Sequence, residues 1–220
     1  MPKCDIEAVI RILKRETRKF TVPIVSRIAE SSSSQKPFLV LISCLLSLRT
    51  KDQTTAAASQ RLFDLADSPK EMRGLSVGRI EKAIYPVGFY RTKAKRIKEI
   101  CRDLIDKFYS RVPDSLEDLL TLKGVGRKTA NLVLTEGFGK FGVCVDTHVH
   151  RITNRLGFCR SGSPEETETC LRNRLPKRYW IEYNKLLVTW GQNICKPISP
   201  LCGVCAVEKY CRKIGVVKHR

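Results

Sequence analysis

The segment from Phe38 to Ser47, Phe-Leu-Val-Leu-Ile-Ser-Cys-Leu-Leu-Ser, is apolar nearly all round and limits the fold more than any other stretch. Such a run has no polar face to offer water, so it must be wrapped on every side, as a helix at the centre of a domain is. It is far too short to span a bilayer, which takes about 20 apolar residues. Elsewhere the apolar spacing is helical and no run sustains period-two alternation, so the chain reads as all-α. Ile6, Val9, Ile10 and Leu13 fall on one face of a helix over 5–19. Further helices are expected over 54–66, 77–84, 93–108, 115–121, 127–135, 146–156, 165–175 and 180–192, with Gly, Pro or Ser breaks between them. Ser31 to Pro37 is one such polar break. Short connections between consecutive helices favour a compact bundle.

Charge narrows the partner. Among 220 residues, 41 Lys and Arg face 22 Asp and Glu, a net charge of +19. That exceeds what solubility needs and points to a polyanion, although lipid surfaces attract lysine as nucleic acids do. The opening Met1-Pro-Lys-Cys-Asp-Ile lacks the charged-then-apolar pattern of a signal peptide, so a cytosolic chain with no membrane association is expected. Arg91, Lys93, Lys95, Arg96 and Lys98 alternate with Ala94, Ile97 and Ile100 on one helix. They read equally as a solvated face and as a stripe facing DNA.

Of ten cysteines, Cys4, Cys44, Cys101, Cys144, Cys159 and Cys170 are scattered, and read as small core residues or exposed bystanders. Cys195, Cys202, Cys205 and Cys211 are different: gaps of six, two and five residues crowd them into one Pro-bearing loop. Four thiols so close read as a metal centre. Zinc usually takes paired C-x₂-C arms from separated segments, whereas a compact single run suits a cuboidal [4Fe–4S] cluster, and spacing alone leaves both open.

Leu122-Lys-Gly-Val-Gly-Arg-Lys-Thr-Ala130 sets Gly124 and Gly126 between a short helix and the start of another. Glycine suits a turn that needs positive φ or a close backbone approach, and the free amides and dipole of the second helix make a site for a phosphate oxygen. Such a hairpin grips backbone without reading sequence. Lys128 falls in that helix's first turn, where the dipole disfavours its ammonium form. A lysine there reads as a nucleophile in waiting or as a phosphate clamp, which Arg127 beside it also suits. Asp146, 18 residues on in Val145-Asp-Thr-His148, is either a plain N-cap with Thr147 or a carboxylate held ionised for chemistry. His148 and His150, two apart on one helix, point away from each other and do not suggest a metal site.

These constellations, in this order, resemble the helix-hairpin-helix DNA glycosylase superfamily, and within it the endonuclease III branch. The likeness runs from about Pro37 to Cys211, and its most specific elements are LKGVGRKTAN at 122–131, VDTHVHR at 145–151 and the C-x₆-C-x₂-C-x₅-C array. The resemblance implies two helical domains flanking a DNA-binding cleft: a six-helix domain with the hairpin at 30–140, and a discontinuous [4Fe–4S] domain of 1–29 plus 141–220. It implies excision of oxidised pyrimidines from duplex DNA, with the damaged nucleotide flipped out of the stack. Lys128 would attack the sugar and form a Schiff base, Asp146 would assist, and β-elimination would nick the strand. The four cysteines would hold the cluster. Lys123, Gly124, Val125, Gly126, Arg127 and Thr147 would contact DNA, and the protein would act as a monomer.

Two positions depart from the family pattern. Arg49 stands where relatives commonly carry a glutamine that fills the gap left by the flipped base, and Phe89 stands where they carry a leucine wedge. Arginine can stack and donate several hydrogen bonds, and an aromatic ring can intercalate, so both functions can survive the change. The loop Cys195–Cys202 carries one lysine where relatives are often more basic. Two competing readings remain. One is a sister glycosylase that removes mismatched adenine with water as nucleophile, although that branch has a small residue where Lys128 stands. The other is a non-catalytic iron–sulfur protein that only binds DNA.

Overall fold

The computed structural model describes residues 4–30 and 35–220, so Ser31–Ser34 of the expected polar break, and Met1–Lys3 at the start, lie outside the described residues. In chain order the α-helices are α1 (Ile6–Glu16), α2 (Ile24–Ala29), α3 (Lys36–Ser47), α4 (Asp52–Phe63), α5 (Pro69–Gly74), α6 (Val77–Ile84), α7 (Tyr90–Phe108), α8 (Leu116–Thr121), α9 (Arg127–Leu132), α10 (Thr147–Leu156), α11 (Pro164–Arg174) and α12 (Trp180–Asn193). Among the described residues there is no β-strand, and no helix is long and apolar enough to cross a membrane. Two compact units emerge from the packing, one of residues 24–140 and one that joins 1–23 to 141–220.

In the 24–140 unit, α3 is the axis. Its residues Phe38 to Leu46 are all buried, as an all-round apolar helix demands, and α2, α4, α7 and α9 pack on it. The short helices α2 and α5 do not stand out in the apolar pattern. Helix α5 nevertheless carries a local start signal: Ser68 accepts from the Glu71 amide, with Pro69 in the first turn. On α7, Ala94, Ile97 and Ile100 are buried as their spacing requires. The basic residues between them are largely engaged within the protein. Lys98 donates to the Leu75 carbonyl at 2.7 Å and to that of Arg73, Arg96 pairs with Glu99 at 2.8 Å, and Lys93 reaches the end of α3.

In the other unit, Val9, Ile10 and Leu13 of α1 share one core with Val149, Ile152 and Leu156 of α10 and with Leu187 and Trp190 of α12. Asp5 caps α1, accepting from the Ala8 amide at 3.0 Å. The scattered cysteines divide. Cys44, Cys101 and Cys144 are buried small residues, as expected. Cys159 and Cys170 instead form a disulfide, which corrects their reading as unlinked residues. The turn after α10 returns against α11 and brings their Cα atoms to 6.2 Å, within bridging range, a proximity that a separation of 11 residues does not disclose. Beyond Asn193 only short 3₁₀ turns follow, at Cys202–Val204 and Glu208–Tyr210.

Candidate DNA-processing site and cysteine centre

The hairpin runs from α8 through Leu122 and Val125, both buried, into α9. The Val125 amide closes the turn onto the Leu122 carbonyl at 3.0 Å. Gly124 has φ +84°, so this position needs glycine for its backbone, and a Cβ there would also press on the flexible Arg96 side chain at 3.0 Å. Gly126 differs. Its φ is −93°, which any residue adopts, and a Cβ would meet nothing within 4 Å. Its own conformation therefore does not call for glycine, and the protein leaves open room at the start of α9. Lys123 is exposed, 3.7 Å from Glu99, and Arg127 is exposed on the first turn. Lys128 is half-buried near Cys44 of α3: burial pushes the Cys44 thiol up to about 12, while the Lys128 charge pulls it down. After Leu132 the helix widens into a π turn over Val133–Gly137, with Thr135 Oγ1 bonded to the Asn131 carbonyl at 3.0 Å.

Arg49 and Phe89, far apart in sequence, stand together in the same unit. The Arg49 guanidinium lies 5.7 Å from the centre of the Phe89 ring, and Phe89 is 64% exposed. Both residues have positive φ, +53° and +58°. With Leu45, Leu48, Thr92, Lys93, Arg96 and the hairpin's Gly124 they line a shallow cavity whose empty space is about 950 Å³, including the part open to solvent.

In the other unit Asp146 is the N-cap of α10. One oxygen, Oδ1, accepts both the His148 amide at 2.9 Å and the Val149 amide at 2.8 Å, which fixes the orientation of the carboxylate. Thr147 is exposed beside it. The two histidines diverge as expected. His148 Nδ1 meets Arg151 at 3.1 Å, whereas His150 Nδ1 meets the Thr167 hydroxyl at 2.7 Å.

Helix α10 also supports the cysteine loop, a role the sequence reading missed. Arg151 donates to the Cys195 carbonyl at 2.9 Å. Arg155, buried, donates to the carbonyls of Lys196 and Pro197, both at 2.7 Å, and lies 3.4 Å from the Cys195 sulfur. The available signal was two arginines four apart on a helix, each followed by an apolar residue, Ile152 and Leu156, since a buried guanidinium must find several acceptors. Cys195, Cys202, Cys205 and Cys211 all line one cavity with about 430 Å³ of empty space, again counting its mouth, walled by Ile152, Trp190, Ile194 and Val207 among others. Burial pushes the Cys205 thiol up to about 11, and the nearby Cys195 and Cys211 push the same way. Among the described residues no three His, Cys, Asp or Glu side chains are grouped so as to hold a metal ion; the four thiols stand around a space. Apolar walls, four thiol donors and a guanidinium at one sulfur fit a metal group held by thiolates.

The model of the HhH-GPD superfamily base excision DNA repair protein matches residues 42–177, which include the hairpin and Asp146. Endonuclease III of Thermotoga maritima is 48% identical over 202 residues, 90% of this chain and 95% of its own length. Among solved structures, a non-covalent endonuclease III–DNA complex superimposes with a TM-score of 0.84 at 32% identity, covering 97% of this chain and 96% of its own. A trapped endonuclease III–DNA covalent intermediate, an estranged-adenine complex, matches with the same score and identity and covers 97% of each chain. This chain therefore belongs to the HhH-GPD superfamily of base excision DNA repair proteins.

Proposed function

We propose that this protein is a bifunctional DNA N-glycosylase and AP lyase of the endonuclease III type, which excises oxidised pyrimidines from duplex DNA and cleaves the resulting abasic site. The observation that carries this reading is Lys128, half-buried in the first turn of α9 directly behind a glycine hairpin that leaves room at the helix start. The relative caught as a covalent DNA intermediate supports covalent catalysis, with Lys128 as the nucleophile, over the water-using adenine glycosylase and over a protein that only binds.

The hairpin amides of Gly126 and Arg127 hold a phosphate, and the damaged nucleotide turns out of the stack. The Lys128 amine attacks C1′ of the sugar through Nζ. The C1′–N bond breaks, and its electron pair and a proton leave with the base. Asp146, whose carboxylate is fixed at the start of α10, accepts the proton released by the amine and stabilises positive charge developing on the sugar ring. The ring opens to a Schiff base between Nζ and C1′. Loss of a C2′ proton then expels the 3′ phosphate and nicks the strand, and water hydrolyses the Schiff base to free Lys128. Arg49 fills the gap left in the stack, Phe89 wedges beside it, and Lys123 and Thr147 contact the backbone.

Cys195, Cys202, Cys205 and Cys211 are proposed to hold a [4Fe–4S] cluster, supported over a single zinc ion by the crowding of all four thiols into one short run rather than paired arms on separated segments. When bound, it supplies four iron–thiolate cross-links that fix a loop with little apolar material of its own.

Borohydride trapping tests the reading. Wild type is expected to form a covalent adduct with a duplex that carries an abasic site or an oxidised pyrimidine. Lys128→Ala is expected to form none and to lose cleavage by on the order of 10⁴-fold or more. A wild type that traps nothing and cuts nothing would mean the protein only binds DNA.

A further inference from the structure

Two loop tips in the 24–140 unit are tied by a single side chain. The turn after α3 carries Arg49 and the turn before α7 carries Phe89, both in the left-handed region that strains a non-glycine residue. Such conformations persist only where neighbours hold them. The tips touch through backbone: a Cβ at Gly88 would lie 2.7 Å from the Arg49 carbonyl oxygen, so only glycine permits the approach. The Gly88 amide donates to Thr50 Oγ1 at 3.2 Å.

Lys93 joins both sides of this contact. Its backbone amide donates to the Phe89 carbonyl at 3.0 Å. Its ammonium donates to the carbonyls of Leu46 at 2.8 Å and Leu48 at 2.6 Å and to Thr50 Oγ1 at 3.3 Å, which uses all three of its protons. Leu46 and Leu48 bracket the C-terminal end of α3, where a cation is favoured. Burial nonetheless draws the Lys93 amine down to about 8. The charged form is thus kept at a cost to stability that a simple helix end does not require, a pattern found at functional sites.

We propose that Lys93 is a positioning residue that locks the Arg49 and Phe89 tips into one preformed unit for entering a duplex. This rests on the reading above, in which those two side chains replace the flipped nucleotide. A preformed unit avoids ordering two loops at the moment of flipping, so slackening it should slow reaction in duplex DNA and spare DNA that has no stack to open.

The experiment compares single-turnover β-elimination at an abasic site in a duplex with that in a single strand, for wild type, Lys93→Met and Thr50→Val. A 2-aminopurine opposite the lesion reports on entry of the tips. In Lys93→Met the duplex rate is expected to fall about 10-fold to 100-fold and the fluorescence change to disappear, with the single-strand rate within about two-fold of wild type. Thr50→Val, which leaves the lysine's carbonyl bonds in place, should move the same way by a smaller factor, and Lys93→Arg should recover part of the loss. Equal losses on both substrates, or no loss on either, would overturn the proposal. If Lys93→Met does not fold, Thr50→Val decides by the same comparison. Should wild type itself neither cleave nor alter the fluorescence, the functional reading fails instead.

Discussion

The α3 core and the cysteine loop are held by opposite means. Helix α3 buries nine consecutive residues, and full burial of aliphatic side chains contributes roughly 1.5–3 kcal/mol each. Between Cys195 and Arg220, by contrast, only Pro200 and Val207 are buried. That stretch is organised by bonds to particular groups: Arg155 on the carbonyls of Lys196 and Pro197, and the backbone of Arg220 on Pro200 and Gly203. One region is specified by an apolar pattern that any neighbours of suitable shape can satisfy. The other depends on a few directional contacts and on whatever its four thiols bind.

That contrast can be broken at the thiols, with the largest effect expected first. In Cys211→Ala, visible absorbance and iron should be lost, and amides over 195–220 should exchange freely in deuterium while those of 38–46 stay protected. Equal protection of the tail in that variant would show that its own contacts suffice. Next comes the guanidinium. Arg155→Met leaves two carbonyls without their donor, and about 2–4 kcal/mol of stability should disappear in urea unfolding, with earlier loss of iron on dilution. A change below about 0.5 kcal/mol would remove Arg155 from the account. The smallest effect belongs to the Cys159–Cys170 bridge. Reduction, or Cys159→Ala with Cys170→Ala, should cost about 2–3 kcal/mol, because the loop it closes is short, and should leave trapping at Lys128 intact. If trapping were lost as well, the bridge would matter for chemistry.

Much of this was legible in one dimension. The α3 run, the buried faces of α1 and α7, the cap at Asp146 and the divergence of His148 and His150 all follow from helical periodicity and capping, which act within a turn or two of chain. The cysteine spacing likewise announced a common site, since residues so close in sequence have little freedom to separate. Helix α2 was not legible, because six residues give too few turns for a period to show. The basic run on α7 resisted for another reason: whether a lysine meets water, DNA or a carbonyl depends on which element lies opposite.

By itself, then, the sequence determined the longer helices, the glycine-bounded hairpin with Lys128 behind it, and the grouping of four thiols, because each rests on local geometry. Only the tertiary structure decided that Cys159 meets Cys170, that Arg151 and Arg155 carry the cysteine loop, that Gly124 but not Gly126 is demanded by its own conformation, and that Lys93 bridges the turns bearing Arg49 and Phe89. Those are contacts between segments 11 to 47 residues apart, or the space left around one backbone atom, and no periodicity encodes them.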